Sequence, residues 1–153
     1  MVQEQTTFKV AEVQVSYKPD YKVKDRPKIS SSEDAYKLFI QEWDSGKLEY
    51  LEQCKMILLN RENRVLGIVD ISTGGVGMII MDPKIIFSIA LKANTSAILI
   101  CHNHPSGNLR PSDSDIKITK QLKECGKLLE IELYDHLIIA NHGYYSFADE
   151  CTI

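Results

Sequence analysis

The stretch Cys101-His102-Asn103-His104-Pro105-Ser106-Gly107-Asn108-Leu109-Arg110-Pro111-Ser112-Asp113-Ser114-Asp115 carries an apolar run into a polar loop and out into a charged, amphipathic segment. Ala97–Cys101, which leads into it, is continuously apolar, the pattern of a buried strand. Side chains alternate along a strand with period two, so His102 and His104 project to one side while Cys101 and Asn103 face the other. The loop then returns a carboxylate, Asp115, on the first turn of the next helix. Two imidazole nitrogens and one carboxylate oxygen form a three-ligand set that leaves a fourth tetrahedral position open. That is the donor set of a catalytic zinc (Zn2+) rather than a closed structural one. Zinc so held lowers the pKa of bound water to about 7 and polarises a carbonyl. Ser112, three residues before Asp115, can aim its hydroxyl at a developing oxyanion.

The same letters have plainer readings. Ser112 and Asp115 spell a helix capping box, and Asp113 could cap in place of Asp115. Taken alone, the cap would be preferred; two histidines with the right alternation immediately upstream tip the balance to a metal. Cys101 adjoins His102, but neighbours on a strand face opposite sides, so a buried thiol is expected rather than a thiol–imidazole pair. His136 reads as a hydrogen-bonded histidine on a strand, with support of the site as a minor alternative, and His142 as exposed in a turn. The chain has neither the dispersed residues of an HNH nuclease nor the His-x-Glu and Pro-Cys-x-x-Cys of a zinc deaminase.

Outward from this stretch, a helix is predicted from near Ser112 to about Leu129. Leu133–Ala140 and Tyr144–Phe147 follow as strands around an Asn141–Gly143 turn. Upstream, Asp82 and Pro83 open a helix whose buried stripe is expected to be Ile85, Ile86, Ile89, Ala90 and Ala93. Met56–Leu59 and Val65–Ile71 form a hairpin through the Asn60–Asn63 turn. Ser30–Ser32 offer caps for a first helix that buries Ala35, Leu38, Phe39 and Trp43, with Gly46 as its stop. Phe8–Tyr17 alternates loosely, as one bulged strand or two short ones. Tyr17–Ile29, with Pro19, Pro27 and five basic residues, reads as an exposed connector. Gly74, Gly75 and Gly77 make a flexible passage without the ending of a phosphate loop. The expected class is α/β, a single mixed sheet flanked by helices. Residues 1–29 form a strand segment and connector, and 30–153 the domain proper.

A length of 153 residues suits one such domain. Lys and Arg total 18 against 21 Asp and Glu, a formal charge of -3, which argues against a dedicated nucleic-acid binder. The longest apolar runs are far shorter than a membrane span, and Met1–Lys9 lacks the apolar block of a signal peptide. Four dispersed cysteines without a Cys-x-x-Cys pair read as reduced thiols in a cytoplasmic protein.

His-x-His-Pro, six residues, then Ser-x-x-Asp resembles the metal motif of the MPN/JAMM (JAB-domain) metalloproteases. The fuller wording is similar to their RadC-like branch: His102–Gly107, Pro111-Ser112, Asp115, Thr119, Asp135-His136 and Tyr145-Ser146-Phe147. The resemblance runs from about Tyr50 to Glu150. It implies a zinc-dependent hydrolase of amide, peptide or isopeptide bonds on a cytidine-deaminase-like α/β fold. Carried over by position, His102, His104 and Asp115 would bind zinc and Ser112 would assist at the oxyanion. The family's base is a Glu just before an early core strand. Setting Ile57-Leu58-Leu59-Asn60 against that strand picks Glu52, with Glu49 one helical turn earlier as fallback. The substrate would be a peptide or protein. Full-length RadC-like proteins carry an N-terminal helix-hairpin-helix region, a pattern not seen in Met1–Glu49, so DNA is not the expected partner. The chain also leaves little room for the insertions that grip ubiquitin-like substrates. The other reading is a non-catalytic binding module serving DNA maintenance.

Overall fold

The computed structural model describes residues 11, 12, 14, 16–74 and 79–153. Its centre is the apolar run that precedes the histidines. Ala97–Asn103 forms β3, seven consecutive buried residues. Its neighbour on one side, β1 (Gln53–Leu59), is equally buried and pairs antiparallel with β3, setting Cys54 opposite His102. A turn at Asn60–Asn63 returns the chain as β2 (Val65–Thr73), antiparallel to β1. On the other side of β3 lies β4 (Glu132–Ala140), in parallel, and β4 turns through Asn141-His142 into β5 (Gly143–Ser146). The sheet order is β2-β1-β3-β4-β5, mixed as expected.

Alternation along β3 sorts the core into two layers. Ala97, Leu99 and Cys101 face a helix α1 (Ser32–Gln41), packing with Ala35, Phe39 and Trp43. Ile98 and Ile100 face the opposite layer, α2 (Pro83–Lys92) and α3 (Asp113–Leu129), among Ile86, Phe87, Ala90 and Leu122. Parallel strands need a crossover, and α3 supplies it between β3 and β4. His102 therefore falls on the α3 face and Asn103 on the α1 face. Gly126 lets α3 close onto the start of β4, because a Cβ there would collide with the Ile131 carbonyl oxygen.

Each α-helix begins on a residue whose side chain accepts from one of its free amides. The Ser31 hydroxyl accepts from Asp34 N, and the Asp82 carboxylate accepts from Lys84 N, with Pro83 at the first turn. Two expectations need correction. Ile85 is 47% exposed, whereas Phe87 is buried: α2 seats through Ile86, Phe87 and Ala90, and Ile85 lies about 100° round the helix from Ile86. The first helix ends at Gln41, so Gly46 is not its stop. Trp43 is buried beyond the helix end, with the Lys55 ammonium 5.2 Å from its ring centroid.

Half of the expected strand over Phe8–Tyr17 lies outside the described residues, and positions 11, 12, 14, 16 and 17 carry no strand. The glycine passage after Gly74 likewise lies outside them, at 75–78. The connector is largely exposed, as expected, apart from the buried Ile29, but it is bound through backbone and tyrosine hydroxyls. Val65 N donates to Pro27 O at 2.9 Å, Ile29 N to Asn63 O at 2.9 Å, and the Tyr17 and Tyr21 hydroxyls to Leu66 O. It straps part of the sheet's open edge, where an unpaired strand would otherwise invite association. Among the described residues no helix is long and apolar enough to cross a membrane.

Candidate metal centre

The end of β3 and the start of α3 bring His102, His104 and Asp115 together. His102 Nε2 lies 3.0 Å from His104 Nε2 and 3.2 Å from Asp115 Oδ1, and His104 Nε2 lies 3.5 Å from Asp115 Oδ2. Glu52, the residue before β1, joins them: its carboxylate and the two imidazoles each offer a ligand atom, all within 4.8 Å of one another. Glu49 is elsewhere, accepting from Asn141 Nδ2 at 2.9 Å.

Hydrogen-bond partners orient both imidazoles. His104 Nδ1 lies 2.6 Å from the Asn108 carbonyl oxygen, which can only accept, so the His104 proton sits on Nδ1. His102 Nδ1 lies 2.8 Å from His136 Nε2. Both rings thus turn Nε2 towards the Asp115 carboxylate. Bare nitrogens and a carboxylate oxygen at 3.0–3.5 Å repel one another unless a proton or a metal ion sits among them. Donors about 2.0 Å from a tetrahedral zinc are about 3.3 Å apart, so the spacing fits that ion. Nitrogen and oxygen donors together suit zinc and other divalent transition metals.

Asp115 is both cap and candidate ligand. The Ser112 hydroxyl accepts from Asp115 N at 3.1 Å and donates to Oδ2 at 2.7 Å, while Ser112 N donates to Oδ2 at 2.8 Å. This is the complete capping box, and Oδ1 remains directed at His102. The two readings of Ser-x-x-Asp are therefore compatible. Burial pushes the Asp115 carboxyl up, but the bonds from His102 and His104 outweigh it and hold the group well below the usual carboxylate range. The same contact with Asp115 raises His104, against the opposing effect of its burial.

Three residues that sequence reasoning gave no firm role support the centre. Asn103, fully buried on the far face of β3, donates from Nδ2 to Leu48 O and Leu51 O, each at 2.7 Å, and accepts from Gln53 N at 2.7 Å. It clamps the turn that presents Glu52. His136, on β4, is fully buried and stacks on Phe147 with centroids 4.9 Å apart. Burial pushes its imidazole well below the ordinary value. Thr119 Oγ1 stands 2.6 Å from His136 Nδ1 and 2.6 Å from Asp115 O. Alternation already put Asn103 opposite the histidines; its partners belong to a turn whose course periodicity does not specify. His142 is exposed, and Cys101 is buried with its thiol pushed well up by desolvation.

A cleft of about 200 Å³ opens beside the centre, with Glu52, Ser112 and Asp115 on its polar wall and Ile79, Met81 and Ile118 on its apolar one. Larger hollows, about 650 and 710 Å³, border the other end of β3 around Ser96 and Ile131, remote from the histidines.

Fold and centre together define an α/β domain with a His-x-His and aspartate centre at the end of its middle strand. The RadC-like JAB domain family matches residues 29–152, and the chain belongs to that family. It is 42% identical over 141 residues to a UPF0758 protein of Clostridium kluyveri, covering 92% of this chain and 60% of that protein. It is 44% identical over 122 residues to one of Clostridium tetani, 80% of this chain and 52% of the relative. A UPF0758 protein of Flavobacterium johnsoniae is 40% identical over 123 residues, with the same shares. The chain thus spans between half and three-fifths of the curated relatives it matches.

Proposed function

We propose that the chain is a zinc-dependent hydrolase of amide bonds in peptides or proteins, isopeptide linkages included. The observation that carries this reading is the convergence of His102 Nε2, His104 Nε2 and the Asp115 carboxylate within 3.0–3.5 Å, beside Glu52. His102, His104 and Asp115 would hold the ion. Bound there, zinc would supply a Lewis acid for the scissile carbonyl and a source of hydroxide near neutral pH. Glu52, half-buried on the cleft wall, takes the proton of the attacking water and returns it to the leaving amine. Ser112 turns its hydroxyl proton from Asp115 Oδ2 to the developing oxyanion, while its backbone N–H continues to hold that carboxylate. The apolar wall of Ile79, Met81 and Ile118 receives a substrate side chain. Four unpaired cysteines suit a reducing compartment, and we place the protein in the cytoplasm.

The test is the zinc content of protein purified without added metal, followed by hydrolysis of a peptide library. His104→Ala and Asp115→Ala should lose both metal and activity, whereas Glu52→Gln should keep zinc and lose turnover. Hydrolysis retained by Asp115→Ala would sink the assignment. Salt-dependent DNA binding with no hydrolysis would point to a binding module instead.

A further inference from the structure

We propose that Thr119 and His136 are positioning residues that set the tautomer of His102, and through it the metal affinity of the centre. The inference rests on the metal-centre reading above. It follows from counting protons along one chain of buried hydrogen bonds. The Thr119 hydroxyl has a single proton and lies 2.6 Å from the Asp115 carbonyl oxygen, which can only accept. With that proton committed, Thr119 Oγ1 must accept from His136 Nδ1, also at 2.6 Å. His136 is wholly buried, its ring lies face to face with Phe147 at 8°, and among the described residues no carboxylate touches that ring. Nothing there supports a charged imidazole, so a proton on Nδ1 leaves Nε2 bare. Nε2 then accepts from His102 Nδ1 at 2.8 Å. With its proton held on Nδ1, His102 has Nε2 as the nitrogen free to face His104 and Asp115 and to take a metal.

Direction matters because the chain works in reverse as well. A donor at the position of Thr119 Oγ1 facing His136 Nδ1 would put the His136 proton on Nε2. That proton would be given to His102 Nδ1, and the His102 proton would move to Nε2, into the centre, where it excludes a metal. The Asp115 carbonyl prevents this by taking the hydroxyl proton. The same residue therefore closes a ring: its carboxylate faces His102 Nε2 and its backbone carbonyl fixes the far end of the relay. Ligating histidines are ordinarily oriented by a carboxylate, carbonyl or water on the second nitrogen. Here a second histidine and a hydroxyl provide that orientation.

The experiment is long-range nitrogen–proton NMR of the histidine rings in metal-stripped protein, together with zinc affinity from chelator competition. In the wild type, His102 should carry its proton on Nδ1. Thr119→Val, which keeps the shape and removes the hydroxyl, should lose that preference and weaken zinc binding by about 10- to 100-fold. Thr119→Ser should match the wild type in both. A wild-type His102 protonated on Nε2 and bare on Nδ1 would overturn the relay without recourse to any variant. So would Thr119→Val with unchanged tautomer and zinc affinity. A wild type that binds no zinc but shows the Nδ1 tautomer would sink the metal reading and with it the effect on affinity, leaving only the tautomer assignment standing.

Discussion

Replacing Asn103 tests how the Glu52 turn is held. Its side chain makes three hydrogen bonds of 2.7 Å, to the carbonyls of Leu48 and Leu51 and from the amide of Gln53, in a site sealed from solvent. Asn103→Ala strands two acceptors and one donor. An unsatisfied buried group costs about 1–3 kcal/mol, and water can reach the turn once the side chain is gone, so we take about 1–1.5 kcal/mol each. The sum, about 3–4.5 kcal/mol, is a large share of the ~5–15 kcal/mol that stabilises a domain. Asn103→Asp sharpens the argument. It keeps the acceptor for Gln53 N but sets a carboxylate oxygen against two carbonyl oxygens, so it should destabilise at least as much at pH 7. That contact raises the introduced carboxyl's folded pKa above its unfolded value of about 3.9. The deficit should therefore shrink as pH falls through the folded pKa, since protonation replaces a repulsive oxygen with a donor. Urea unfolding at pH 7 and pH 4.5 measures both effects, with an unchanged m-value as the two-state check. A loss under about 1 kcal/mol for Asn103→Ala, or an Asn103→Asp deficit that grows on acidification, would refute the clamp.

Other consequences are simpler to read. Gly126→Ala puts a methyl against the Ile131 carbonyl and should cost about 1–3 kcal/mol in thermal unfolding, because backbone must move to admit it. In metal-free protein the Asp115 carboxyl is lowered and His104 is raised. The Asp115 contribution to stability is present above its unfolded pKa and lost as pH falls through the folded one. That of His104 is complete below its unfolded pKa and lost as pH rises through the raised folded one. Metal-free stability should thus decline as pH rises past about 6.5 while zinc affinity increases, because the metal displaces a proton; calorimetry with and without zinc separates the two. Stripping zinc from loaded protein should lower stability by about 2.7 kcal/mol if free zinc had stood at 100 times its Kd. An unchanged melting temperature on chelation would contradict a bound ion.

Strand β3, the hairpin, α3 and its cap are legible because each rests on a local rule: an apolar run, a turn, a Ser-x-x-Asp box. The stripe of α2 departs from expectation at Ile85 because Lys84, Ser88 and Lys92, spaced four apart, mark the polar face of the helix; at ~100° per residue Ile85 lies nearer that face than Phe87, so Phe87 packs and Ile85 does not. Glu52 and Glu49 are a helical turn apart in sequence, yet the segment is a series of turns rather than a helix. Its path is fixed by Asn103 from a strand 50 residues away, so spacing could not separate the two carboxylates. His136 and Thr119 lie in different elements, 17 residues apart, and meet only because α3 crosses over to β4.

The alternation that places two histidines on one face of β3 also places Asn103 between them on the other. A single strand end thus organises both sides of the site: one face gathers the imidazoles against α3, and the other ties down the turn that carries Glu52. Asp115 has a comparable double duty, capping α3 through Oδ2 while Oδ1 reaches His102 and its carbonyl anchors Thr119. Asp115→Asn should separate these duties. The amide oxygen can still cap the helix, so the cap itself should lose little, about 0.5–1 kcal/mol, beside the loss of the carboxylate's contacts with the two imidazoles. The negative charge that attracts a divalent ion is gone, so zinc affinity should fall much further than stability. If stability and affinity fell together, the cap and the ligand would be one interaction and the division of labour between the two oxygens would be wrong.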